Sequence, residues 1–80
     1  MDWETGARTK FEKMISMIPF FQRKMAERLA GKKAEQYAQE RGAAQVEEHH
    51  IVAALIAETP APFQSSMRDT ARTAGFDMPS

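Results

Sequence analysis

Glu47-Glu48-His49-His50 is the one stretch that gathers metal-ligand residue types side by side. Carboxylates and imidazoles could ligate a metal ion or a tetrapyrrole iron, so the question is whether they can converge. Neighbours on a helix point about 100° apart, and adjacent side chains therefore diverge. The productive zinc spacing, two histidines four apart with a carboxylate between, is missing. A structural or surface role is expected for all four residues, with no metal site and no cofactor. Ligation through His49 or His50 is the alternative.

A second constellation is basic. Arg23, Lys24, Arg28, Lys32 and Lys33 fall within one stretch, interrupted by Glu27, Glu35 and Glu40. No aromatic residue is expected among them to stack on bases. A solvated face is the plain reading; an acidic protein partner comes before nucleic acid as the functional one. Just upstream, Phe20-Phe21 opens the same stretch. Consecutive aromatics at a helix start diverge by about 100° and cannot both enter one seam. Phe20 beside Gln22, Arg23 and Lys24 has the make-up of an apolar anchor rimmed by positive charge. The candidate partner-binding set is therefore Phe20, Gln22, Arg23, Lys24, Arg28 and Lys32. The competing reading has Phe20 covered by Phe63 or Phe76. Met14, Met17, Met25 and Met67 are expected in the core or in a groove, where methionine fills irregular gaps. No serine–histidine–acid order, phosphate-cradling glycine loop or carboxylate pair is present, and no catalytic residue is expected.

Helices must position these residues. Trp3, Ala7, Phe11, Met14, Ile15 and Ile18 recur at steps of three and four, which predicts a helix from Asp2 to Ile18 with Asp2 as its cap. Pro19 ends it and is expected to occupy the first position of the next helix. That helix should run to Arg41 and stop at Gly42. Ala26, Ala30, Ala34 and Ala38 make a ridge at four-residue spacing, flanked by Leu29 and Tyr37, against which another helix can pack closely. Gly31 is either tolerated or marks a kink or close crossing. A third helix is expected from Glu48 to Glu58, with Val46 and Ile51 as a staple around Glu47 and with Ile51, Val52, Leu55 and Ile56 facing the core. Thr59-Pro60-Ala61-Pro62 breaks the chain. Phe63, Met67, Ala71 and Ala74 align on a short last helix that Gly75 ends. The fold class is all-α: a three-helix domain over residues 1–58 and a proline-containing tail, 59–80, with a short fourth helix.

The whole chain sets limits on function. Its 80 residues bury a small core, and eleven basic against eleven acidic residues leave no net charge to draw nucleic acid or an anionic membrane. With no cysteine, disulfides, thiolate zinc sites and cysteine nucleophiles are excluded for this chain, and a reducing, cytoplasmic setting is expected. No apolar run is long enough to span a bilayer, and the N-terminus has no secretory pattern.

Ile18-Pro19-Phe20-Phe21-Gln22-Arg23, then Glu35-Gln36-Tyr37-Ala38-Gln39-Glu40-Arg41-Gly42, then Val46 and the helix after it, resemble the small C-terminal domain of the light-independent protochlorophyllide reductase B subunit. On that pattern Trp3 matches the leading tryptophan and Pro19, Phe21 and Arg23 the turn. Glu35, Tyr37, Ala38 and Gly42 match the second helix end, and Val46 the isoleucine that opens the last helix. Glu47 stands where the family has a capping threonine. The first two helices are each about one turn longer than the pattern, which keeps their apolar faces in phase. The resemblance covers about Trp3 to Glu58. It implies association with a nitrogenase-like, ATP-driven reductase of the chlorophyll pathway whose cluster and nucleotide reside on other chains. It also implies that Phe21, at the family's aromatic position, belongs to the core. The leading reading is a non-catalytic helical interaction or accessory module with a protein partner, such as a subunit of that reductase. A small nucleic-acid-binding helical protein is the rival, and a tetrapyrrole or metal carrier a weaker one.

Overall fold

In the computed structural model, which describes residues 1–79, four α-helices form one all-α bundle: α1 (Thr5–Ser16), α2 (Phe20–Glu40), α3 (Glu48–Glu58) and α4 (Gln64–Ala74). A single 3-10 turn, Ala61–Phe63, follows the Pro60 break and leads into α4. No described helix is long and apolar enough to cross a membrane.

The chain starts extended rather than helical. Val46 N–H donates to the Asp2 carbonyl and Glu4 N–H to the Val46 carbonyl, each at 2.8 Å, so residues 2–4 pair with the α2–α3 connector as an isolated parallel bridge. Asp2 is thereby removed from the helix, and Glu4 is the cap. Its carboxylate accepts from Gly6 N–H at 2.8 Å and Ala7 N–H at 2.9 Å, satisfying two orphan donors of α1. Those two bonds hold the Glu4 carboxyl below its usual value.

The α1–α2 corner is looser than expected, with residues 17–19 between the two helices. α1 stops at Ser16, because Pro19 disfavours helical geometry before it, and Pro19 is the N-cap of α2 rather than its first helical residue. Arg23 reaches back from the first turn of α2. Its Nη2 donates to the Ser16 carbonyl at 2.9 Å and its Nε to the Ile18 carbonyl at 3.0 Å, capping the end of α1. α2 ends in a Schellman motif: Ala43 N–H bonds the Ala38 carbonyl, Gly42 N–H bonds the Gln39 carbonyl, and Gly42 takes φ +67°. α4 ends the same way around Gly75, with Phe76 N–H on the Ala71 carbonyl and the Phe76 ring buried behind it.

One core unites all four helices. Ala30, Ala34 and Ala38 turn the alanine ridge of α2 inward, and α2 packs most extensively against α3. Ala7, Phe11, Met14 and Ile15 of α1 and Met67, Ala71 and Ala74 of α4 complete the core. Val46 and Ile51 are both fully buried, as a hydrophobic staple requires. On α3, Ala54 joins Ile51 and Leu55 inside, while Val52 and Ile56 are half-buried. Gly31 lies beneath the Trp3 ring, where an added methyl would sit at 3.8 Å, ordinary contact distance. The packing therefore tolerates glycine at this point without requiring it.

Candidate interaction surface

The Glu-His cluster resolves into a capping device. His50 is only 1% exposed, and its Nδ1 accepts the Glu47 N–H at 2.9 Å, the part that Glu or Gln plays in a capping box. An accepting Nδ1 places the ring proton on Nε2 and keeps the imidazole neutral. Burial pushes its pKa down, His49 and Arg41 push in the same direction, and Glu47 opposes them. His49 stays exposed beside it, with ring centroids 4.0 Å apart. Glu48 leaves in another direction, pairing with Lys10 of α1 at 2.8 Å. Among the described residues, no three His, Cys, Asp or Glu side chains gather where they could hold an ion. Ligation through His50 Nδ1 would uncap α3.

The basic stretch is different, because α2 has two apolar sides. Phe21 precedes Ala30 by nine positions, which at roughly 100° per residue is about half a turn, so it points away from the core. It is 73% exposed, which corrects its assignment to the core. Phe20 is in phase with Ala38 but stands at the tip of α2, beyond its neighbours, and is 78% exposed. The two rings meet edge-to-face at 6.2 Å. Neither proposed cover reaches Phe20: Phe63 is itself exposed, and Phe76 is buried in the core. Met25 and Leu29 extend the outer row from Phe21 at four-residue steps and are also exposed, as is Met17; only Met14 and Met67 of the expected methionines are core.

Inward of Leu29 the surface falls into an open groove of about 350 Å³ between α2 and α4. Ile15, Ile18, Leu29, Leu55 and Met67 line it, and Phe63 stands on its far wall. On the other side of the Phe21–Met25–Leu29 row, Lys24, Arg28 and Lys32 form a parallel exposed row. None of the three has a carboxylate at ion-pair distance among the described residues. Glu35, which interrupts the basic stretch in sequence, is occupied by Trp3, whose Nε1–H donates to it at 2.9 Å. Lys33 lies over the Tyr37 ring at 5.3 Å.

Four of the six candidate partner-binding residues, Phe20, Lys24, Arg28 and Lys32, thus share the exposed outer and leading part of α2. Gln22 faces the groove and lines it. Arg23, although exposed, is committed to the α1 carbonyls. Sequence reasoning missed Phe21, Met25 and Leu29, and the signal was available: their spacing of four runs parallel to the alanine ridge, about half a turn away. The expectation that no aromatic stands among the basic residues is corrected as well, since Phe21 lies beside Lys24 and Arg28. No protein-family model matches the chain, and neither does any curated protein or solved structure.

Proposed function

We propose that this chain is a non-catalytic, cytoplasmic helical interaction module that docks a protein partner through the outer face of α2. The observation that carries the reading is a surface row of Phe21, Met25 and Leu29 opposite the buried alanine ridge, with Phe20 exposed at the tip of the same helix and unpaired cations alongside. A chain of this size has little apolar area to spare, and large side chains held in water by a helix buried on its other face suit a partner better than a core.

By resemblance, the partner is a subunit of a nitrogenase-like protochlorophyllide reductase, with this chain as an accessory that carries no cofactor of its own. Most residues of the resemblance hold structural positions in this chain, Phe21 excepted. Trp3 and Val46 form the bridge, Arg23 caps α1, Ala38 is core, and Gly42 takes the left-handed turn. These residues shape the domain and perform no chemistry, so what they transmit is architecture.

Affinity capture from native lysate tests the reading, comparing the natural chain with the Phe20→Ala/Phe21→Ala variant. Reductase subunits retained by the natural chain and lost by a folded variant are expected; retention by both would remove the face from the account. A second reading, binding of single-stranded nucleic acid, has one observation in its favour: Phe21 exposed beside Lys24 and Arg28. Binding of a labelled oligonucleotide that weakens steeply with salt and is lost in Phe21→Ala would establish it.

A further inference from the structure

We infer that the partner segment is an acidic amphipathic helix, seated across the Met25–Leu29 row with its apolar side chains in the α2–α4 groove. The inference rests on the docking face proposed above and adds the chemistry of what docks there.

Shape supplies the first part. The groove is open, lies between two helices and is lined mostly by apolar side chains, with Gln22, Glu58, Thr59, Ser66 and Thr70 as its polar members, a setting in which an amphipathic helix can lay down its i, i+3, i+4 and i+7 anchors. Met14 and Met67 give its walls side chains that adapt to an incoming residue, and the exposed Met25 does the same on the outer row. Leu29 belongs both to the groove and to the outer row, so one ligand helix can engage both.

Charge supplies the second part and decides between occupants. The Met25–Leu29 row is edged by Arg28 and Lys32 on one side and by Gln22 and Lys33 on the other. No free acidic side chain of α2 stands in either edge beside that row, and the one carboxylate that lines the groove, Glu58, belongs to the last residue of α3. Glu27 is exposed on the α1-facing side of α2, about 160° round the helix from Met25, and Glu35 is held by Trp3. A second copy of this chain fits poorly. Pairing two α2 helices antiparallel sets the Lys24–Arg28–Lys32 row against its own copy, and like charges brought together at an interface are costly. Pairing them in parallel sets that row against Gln22, Lys33 and Gln36, which offer no opposite charge. A helix carrying Glu or Asp beside its apolar stripe satisfies both edges.

Two synthetic peptides of about 18 residues serve as the probes. One has leucine and phenylalanine on one helical face and glutamate on the other; the second has lysine at every glutamate position. Binding is read by fluorescence anisotropy with the full chain. The acidic peptide should bind at least about tenfold more tightly than the basic one, and more weakly as salt rises from about 20 to about 300 mM. Arg28→Glu/Lys32→Glu should reverse the preference. Leu29→Asp, with Met25→Asp as a second variant in case the first unfolds, should abolish binding while circular dichroism stays helical. Equal affinity for both peptides, lost in the aspartate variants, overturns the acidic partner and leaves the docking face standing. Failure of both peptides overturns the inference. If a concentration-dependent dimer also disappears in Leu29→Asp, the face belongs to a second copy. If partner capture is also insensitive to Phe20→Ala/Phe21→Ala, the docking face itself fails.

Discussion

His50 shows how one side chain can carry the pH response of the fold. Its imidazole must stay neutral to accept the Glu47 N–H, and burial disfavours the charged form, so the folded chain holds protonation off to lower pH. The unfolded chain takes the proton near the ordinary value of 6.5. Stability from this source is therefore complete above that value and is lost as pH falls below it. Melting temperature should drop between about pH 7.5 and about pH 5.5. His50→Gln keeps an acceptor for the cap without a proton to bind, so its drop should be smaller; equal drops would contradict the assignment. Glu4 acts at lower pH and through the opposite charge. Its depressed carboxyl contributes stability above 4.5 that is lost as pH falls through the folded value. His50 was legible from sequence only as a residue with a structural or surface role. The spacing from Glu47 to His50 fits a capping box once histidine is allowed the place of glutamine. Trp3 was misplaced onto α1, because a single bridge to Val46 leaves no periodicity to read.

At the scale of the element, α2 explains most of what succeeded and failed. Its inner ridge was plain, since alanines four apart in a long helix have few other uses. Ala34 is fully buried, and Ala34→Leu should cost roughly 1–3 kcal/mol in chemical denaturation by overpacking. Gly31 is the reverse case. It has a helical conformation and room for a methyl against Trp3, so Gly31→Ala should stabilise by roughly 0.5–1 kcal/mol, read as a rise in denaturation midpoint. A loss on that substitution would mean that Trp3 sits closer than 3.8 Å. The outer row was harder to read. Phe21 and Met25 are apolar, and a reading that sends apolar residues inward has no way to see a helix with two such faces. The phase relation to the ridge separates them, and phase is known only after one face has been fixed by packing.

For the molecule as a whole, helix number, the breaks at Pro19 and Pro60, and both glycine stops could be read directly, because each is set by backbone chemistry within a few residues. Whether the tail joins the core could not, since that depends on Phe76 and Met78 meeting residues far away in the chain. The interaction face is a property of the assembled bundle: α2, at about 1.5 Å per residue, spans about 31 Å. The molecule is itself 31 Å long, so α2 runs its full length, yet its leading turns outrun the elements that cover the rest. The central claim is that this exposed row serves binding and contributes little to the fold. Urea unfolding of the Phe21→Ala/Met25→Ala variant measures it most directly. The expected result is a stability within about 1 kcal/mol of the natural chain at unchanged m-value, the sum of two surface substitutions. A loss of roughly 5 kcal/mol or more, the cost of truncating two buried side chains, would place the row in the core and contradict the account.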